Sequence, residues 1–80
     1  MTEDRTRLKA IELLRDHLGL DKDPLDSTTV KELNVDGLDL IEVGMALEAE
    51  FGVTIPDQVI AEWRTVGEIL DWLTSRANVG

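Results

Sequence analysis

The pattern of apolar and polar positions predicts an α-helix near the start of the chain. Apolar residues recur at helical spacing from about Glu3 to His17, and Gly19 is a typical residue just beyond a helix C-terminus. The apolar residues that share one side of this helix are Leu8, Ile11, Leu14 and Leu18. We expect this side to pack in the core, and we expect the solitary His17 to act as a cation at the negative end of the helix.

The segment that follows lacks a helical period. Between residues 20 and 36 it carries turn chemistry at Asp23-Pro24 and Asp26-Ser27. We therefore predict a long loop that is held against the core by its apolar side chains. Those side chains are Leu20, Leu25, Val30, Leu33 and Val35.

Two further helices are predicted in the last third of the chain. Pro56-Asp57 opens a short helical turn that ends near Glu62. Thr65 and Glu68 have the spacing of a capping box, and the apolar residues after them predict a last helix of about 12 residues. These elements close a small bundle, and the chain shows no β alternation and no internal repeat.

The helix between them, predicted from Leu38 to Phe51, carries two apolar stripes when its side chains are placed about 100° apart. The stripe that suits burial consists of Leu40, Val43, Leu47 and Phe51. The stripe on the opposite side consists of Leu38, Ile41 and Met45, beside Glu42 and Glu48. Because a helix in a small bundle points only one side inward, the second stripe is either covered by the long loop or exposed to bind a partner. In a binding face, Met45 would supply adaptable apolar contact and the carboxylates would steer a basic partner.

The charge balance excludes some partners and favours others. The 80 residues include 17 acidic and 8 basic side chains, giving a net charge of −9, and no basic residue stands between Lys31 and Arg64. Such a chain repels nucleic acid and anionic membranes, and it attracts partners with basic patches. A solvated surface that keeps the protein soluble explains the same charges. The acidic residues of that segment are Glu32, Asp36, Asp39, Glu42, Glu48, Glu50, Asp57 and Glu62.

Length and the absence of cysteine set further limits. Residues 1 to 80 make one small domain, which buries only about 60% of the surface that its unfolded chain exposes. Without cysteine there is no disulfide, no thiolate metal site and no thiol nucleophile. Charge interrupts every apolar run, so neither a signal peptide nor a transmembrane helix is predicted, and we expect a cytoplasmic monomer.

No catalytic or metal site is expected. An EF-hand loop that begins at Asp21 would place Leu25 at a ligand position and Asp26 at the glycine position. The chain shows no paired carboxylates, glycine-rich phosphate loop or catalytic triad, so we do not predict an enzyme. Trp63 and Trp72 are expected to anchor the core or its rim.

The stretch DGLDLIEVGMALEAEFGVTIPD, residues 36 to 57, resembles the signature of the acyl carrier protein family. That signature reads D-S-L-D/E-x-V/I-E-L/V-V/I-M-x-L/F-E-x-x-F and is followed by I-P-D, and the similarity continues through TVGEILDWL. The resemblance implies an all-α fold, a four-helix bundle with a long first loop and a short third helix. It also implies a carrier of acyl or related groups, held as thioesters on a 4'-phosphopantetheine arm and presented to biosynthetic enzymes.

The resemblance further implies where the arm and the partners meet the chain. The family attaches its arm to the serine that follows the aspartate, and Gly37 stands at that position, where it offers no atom to esterify. The implied partners are phosphopantetheinyl transferase and carrier-dependent enzymes with basic patches. The residues expected to contact them are Asp36, Leu38, Asp39, Ile41, Glu42, Met45 and Glu48.

Two explanations of Gly37 remain open. In the first, the chain is a true carrier whose serine has been replaced, so that it is locked in the apo form. In the second, it is a natural carrier-like protein that has lost its arm and acts only by docking to partners. The residues retained around Gly37 favour the first explanation, because a protein freed from modification need not keep what a transferase recognises. We also expect Gly37 to leave the helix poorly capped, since it has no side-chain oxygen.

Overall fold

Four α-helices form the regular structure of residues 2 to 77, the part of the chain that this computed structural model describes, with side chains described from residue 5 to residue 76. The helices are α1 (Thr2–Leu18), α2 (Gly37–Phe51), α3 (Asp57–Glu62) and α4 (Val66–Ala77). The prediction of an all-α bundle with a long first loop and a short third helix is confirmed.

The core lies where α1, α2 and α4 meet. The largest fully buried side chains are Leu14, Val43, Leu47, Val66, Ile69, Leu70 and Leu73. α1 packs against α4 and α2, and α2 also packs against α3. Each long helix therefore buries one side, as expected for an amphipathic helix in a small domain.

The buried side of α1 differs from the predicted one at Leu8. The side chains of α1 that are buried are Thr6, Ala10 and Leu14, four residues apart, whereas Leu8 is 68% exposed. Leu8 stands two residues before Ala10 and hence about 200° around the helix from it. The prediction that Leu8 packs in the core was wrong because the stripe was drawn through the large apolar residues at helical spacing, whereas the small Ala10 marks the inner side.

α4 begins with the capping box that the sequence predicts. Thr65 Oγ1 accepts a hydrogen bond from Glu68 N–H at 3.2 Å, and Glu68 Oε1 accepts one from Thr65 N–H at 3.0 Å and one from Arg64 N–H at 2.6 Å. The bond from Arg64, followed by that from Thr65, holds the pKa of Glu68 below its usual value. A charged carboxylate is favoured at this end of the helix dipole.

The long loop is fastened by a strap, residues 26 to 30, which pairs with residues 64 to 67 at the start of α4. Three backbone hydrogen bonds of 2.9 Å join the two segments: Val30 N–H to Arg64 O, Val66 N–H to Thr28 O and Gly67 N–H to Asp26 O. Arg7 of α1 also donates two hydrogen bonds to the Asp26 carboxylate, at 2.7 and 2.8 Å. The loop is therefore fixed to both α1 and α4.

Most apolar side chains of the loop reach the core, but Leu25 does not. Val30, Leu33 and Val35 pack against the core as predicted. Leu20 is half-buried but is not among the side chains packed against the core, and Leu25 is 70% exposed. Leu25 belongs to a turn with Thr28: Leu25 O accepts a hydrogen bond from Thr28 N–H, and Thr28 Oγ1 accepts one from Leu25 N–H, both at 3.0 Å. The prediction for Leu25 was wrong because this turn holds the residue at the surface.

The end of α2 is fixed by a glycine and by the side chain of Glu48. Gly52 has a φ of 65°, in the left-handed region that favours glycine at a helix C-terminus. Glu48 Oε2 accepts a hydrogen bond from Ile55 N–H at 2.8 Å. Further along the helix, a Cβ atom at Gly44 would lie 2.6 Å from Ile60 Cδ1, so glycine permits the close approach of α3.

Candidate functional site

The N-terminus of α2 is capped by Asp36, one residue before Gly37. Asp36 Oδ1 accepts a hydrogen bond from Asp39 N–H at 2.8 Å, and Asp39 Oδ2 accepts one from Asp36 N–H at 3.5 Å. These reciprocal bonds form a capping box. The expectation that Gly37 leaves the helix poorly capped was wrong, because Gly37 is the first helical residue and the cap precedes it. The signal in the sequence is the spacing Asp-x-x-Asp.

Gly37 occupies an open position. A Cβ atom placed there would meet no atom within 4 Å outside its chain neighbours and the backbone of its own helix. Within residues 2 to 77, the glycines with positive φ are Gly19 and Gly52, so the backbone at Gly37 suits an ordinary L-residue. Nothing in this part of the fold requires glycine at position 37, and a serine there would present its hydroxyl at the surface.

The positive end of the α2 dipole lies at the same place. The first hydrogen bond of the helix runs from Leu40 N–H to Asp36 O at 3.0 Å. The N–H groups of Gly37 and Leu38 therefore precede the ladder of bonds inside the helix. A helix start of this kind favours a phosphate group through its backbone N–H groups and its dipole.

The second apolar stripe of α2 is exposed. Leu38 is 67% exposed, Ile41 42% and Met45 61%, whereas the stripe on the opposite side enters the core. The alternative that the long loop covers these three side chains is therefore wrong. Glu42 is exposed beside them. We call these four residues, Leu38, Ile41, Glu42 and Met45, the outer face of α2.

The four acidic residues predicted to contact partners have different surroundings. Asp36 and Asp39 form the capping box, and the half-buried Glu48 binds Ile55 N–H. Three of the four carboxylates therefore also hold the local structure. Glu42 is exposed and has no hydrogen bond or ion pair with the described residues, so its charge is directed to solvent.

The two tryptophans belong to the packing of α3 and α4. Trp63 is 5% exposed, and its ring meets the half-buried Trp72 edge to face, with ring centroids 6.4 Å apart. Arg76 lies over Trp72, with Cζ 5.1 Å from the ring centroid. The prediction that the tryptophans anchor the core and its rim is confirmed.

Several acidic side chains of the long loop have partners inside the fold. Asp23 Oδ1 accepts a hydrogen bond from Arg15 at 3.0 Å, and Glu32 Oε2 accepts one from Thr29 N–H at 2.8 Å. Over the described residues, no three His, Cys, Asp or Glu side chains are grouped so that they could hold a metal ion. None of the helices from residue 2 to residue 77 is long and apolar enough to cross a membrane.

The sequence is similar to those of known carrier proteins. A family model described as phosphopantetheine attachment site matches residues 9 to 73. The acyl carrier protein of Petrotoga mobilis is 36% identical over 81 residues, which cover 99% of this chain and 95% of that protein. The acyl carrier protein of Rickettsia canadensis is 34% identical over 77 residues, which cover 94% of this chain and 90% of that protein.

The fold is similar as well. The crystal structure of an acyl carrier protein from Thermotoga maritima matches this structure with a TM-score of 0.81 and 28% sequence identity, over 98% of this chain and 93% of that one. The match to the family model includes the start of α2 and its outer face. The chain therefore belongs to the acyl carrier protein family, whose members carry a phosphopantetheine arm.

Proposed function

We propose that this chain is a carrier-type domain that docks to biosynthetic enzymes through the outer face of α2 and that stays in the apo form. The observation that supports this proposal is the open position of Gly37, directly before the outer face. Family members carry phosphopantetheine on a serine, and Gly37 stands where the family signature has that serine. The chain acts as a binding partner rather than as a catalyst, and it works as a monomer in the cytoplasm.

The start of α2 suits a phosphate but not the covalent arm. The N–H groups of Gly37 and Leu38 favour an anion there, yet glycine has no oxygen that could form the phosphodiester. The serines of the chain are Ser27 in the long loop and Ser75 in α4. Neither of them follows an aspartate at a helix start, so we do not move the attachment point to either.

The outer face is complementary to a partner surface that has an apolar patch with basic residues around it. Three exposed apolar side chains supply contact area, and Met45 adapts its shape to what it meets. Glu42 lies among them with its charge directed to solvent. The absence of basic residues between Lys31 and Arg64 extends the negative field around this face, which steers a basic partner towards it.

The attachment position is tested by modification. With coenzyme A, Mg²⁺ and a phosphopantetheinyl transferase, the chain should gain no mass, whereas Gly37→Ser should gain one phosphopantetheine group. Gly37→Ala is the matched control, because it adds the Cβ atom without the hydroxyl and should gain no mass. Intact-protein mass spectrometry gives the result, and circular dichroism shows that each variant is folded. A folded Gly37→Ser variant that stays unmodified would contradict the proposal.

The docking face is tested by charge reversal. Glu42→Lys should slow association with a basic carrier-dependent enzyme, and this effect should shrink as salt rises, since the Debye length falls to about 10 Å at 0.1 M. Glu12→Lys makes the same change of charge on the exposed surface of α1 and is the control. Stopped-flow or surface-plasmon-resonance rates measure the difference. Equal losses from both variants would show a general effect of net charge and would remove the special role of the outer face.

A further inference from the structure

The outer face and Gly37 have a combined consequence for an enzyme that attaches the arm to carriers: the surface for docking is present, but the atom to be modified is absent. We propose that this chain is a dead-end competitive ligand of phosphopantetheinyl transferase, one that occupies the enzyme's carrier site, escapes modification and thereby slows the modification of carriers that have the serine. This inference rests on the proposed function, because it requires the outer face to be a docking surface. It adds a regulatory effect on a second carrier.

The surface needed for recognition is present and uncovered. Leu38, Ile41 and Met45 are 67%, 42% and 61% exposed, and no other segment of the described chain lies over them. Glu42 supplies a charge that is not neutralised within the described residues. A basic transferase therefore meets the same combination of apolar and acidic side chains whether or not position 37 carries a hydroxyl.

The glycine does not obstruct docking. Replacing a serine by Gly37 removes atoms from an exposed position and adds none, so an enzyme surface that fits a serine-bearing helix meets no new clash. The capping box of Asp36 and Asp39 closes the first turn of α2 without any contribution from residue 37. The outer face therefore keeps its position on the helix when the hydroxyl is absent.

A complex that forms in this way can only dissociate. In a serine-bearing carrier, the serine oxygen attacks the phosphorus of coenzyme A that bears the pantetheine. The bond from that phosphorus to the nucleotide breaks, the nucleotide phosphate leaves, and the serine proton passes to a base. Gly37 offers no oxygen for the first of these events, so no bond is made or broken and the enzyme stays occupied until the chain departs.

Occupancy without turnover predicts a simple form of inhibition. The apparent KM of a serine-bearing carrier should rise by the factor one plus the ratio of inhibitor concentration to its dissociation constant, which is about elevenfold when that ratio is about ten. The kcat should stay unchanged, because a saturating substrate displaces the inhibitor. Inhibition should also weaken as salt rises, since the attraction between Glu42 and a basic site is screened.

The test uses the full chain as an inhibitor against two substrates, its own Gly37→Ser variant and a natural acyl carrier protein that has the serine. Initial rates of modification are measured by mass spectrometry with a transferase that modifies the natural substrate. Leu38→Ala in the inhibitor should weaken inhibition at least severalfold. Leu8→Ala is the matched control, because Leu8 is an equally exposed leucine on α1, at 68% against 67% for Leu38, and this variant should inhibit like the unchanged chain.

The possible results separate this inference from the proposed function. If Gly37→Ser is modified but the unchanged chain inhibits neither substrate, the dead-end inference is wrong and the proposed attachment position stands. If Gly37→Ser is not modified while the natural carrier is inhibited competitively, the inference stands and the attachment position is wrong. Inhibition that lowers kcat, or that responds equally to Leu38→Ala and Leu8→Ala, would overturn the inference.

Discussion

The two sides of α2 have similar apolar composition and opposite surroundings. One side places Leu40, Val43 and Leu47 in the core, and the other leaves Leu38, Ile41 and Met45 between 42% and 67% exposed. The inner side differs by carrying Gly44, over which Ile60 of α3 packs. The comparison shows that apolar character alone does not decide which side of a helix is buried. The inner side is also the one whose shape lets a second helix approach.

The largest difference between the two sides should appear when each loses a side chain. Leu47→Ala leaves a cavity in the core and should lower the free energy of unfolding by about 2–5 kcal/mol. Met45→Ala, on the outer face, should change it by less than about 0.5 kcal/mol. Urea unfolding followed by tryptophan fluorescence measures both. A loss at Met45 as large as that at Leu47 would show that the outer face is covered in solution.

Smaller changes in the free energy of unfolding are expected when the two glycines of α2 are replaced by alanine, and the two changes should have opposite signs. Gly44→Ala introduces a methyl group against Ile60 and should destabilise the fold by about 1–3 kcal/mol through overpacking. Gly37→Ala meets no neighbour and should stabilise it by about 0.4–1 kcal/mol, because alanine restricts the unfolded chain. Thermal or urea unfolding of the two variants measures both changes in stability. If both changes have the same sign, either Gly44 does not lie in close contact with α3 or Gly37 is not in an open position.

The smallest effect should come from the charge on the outer face. Because the chain has a net charge of −9, added salt should raise the thermal midpoint. Glu42→Gln removes one unpaired charge and should make that response slightly weaker, whereas Asp23→Gln removes a carboxylate that is already bound to Arg15 and should not. Mg²⁺ and Ca²⁺ should act alike, because the described residues include no grouped metal ligands. A midpoint that does not move with salt would show that the acidic surface is already compensated.

Much of the architecture follows from local signals in the sequence. The helix stop at Gly19, the capping box of Thr65 and Glu68 and the period of the apolar residues depend on neighbours within about one helical turn, so they can be read without tertiary structure. The two stripes of α2 are also evident from spacing. The same local reasoning placed Glu42 beside the second stripe.

The remainder depends on contacts between distant segments. Spacing alone left open whether the long loop covers the second stripe of α2, because the answer requires the loop to be in place. Leu8 was assigned to the core by its helical spacing and Leu25 by its apolar character, yet the inner side of α1 and the turn at Thr28 leave them at the surface. The bond between Glu48 and Ile55 was missed for the same reason, since it crosses the connection between two helices.

The strap gives the long loop two parts with different tolerance to changes of length. Val66 and Gly67 start α4 with N–H groups that have no partner within the helix, and the strap supplies their acceptors, Thr28 O and Asp26 O. A residue inserted before Asp26 lengthens a surface segment, and doubling the length of a flexible loop costs only about 0.6 kcal/mol. The same insertion within the strap would shift its register and leave both N–H groups of α4 without those acceptors. The first part of the loop is therefore the place where this chain can accept an insertion or a graft.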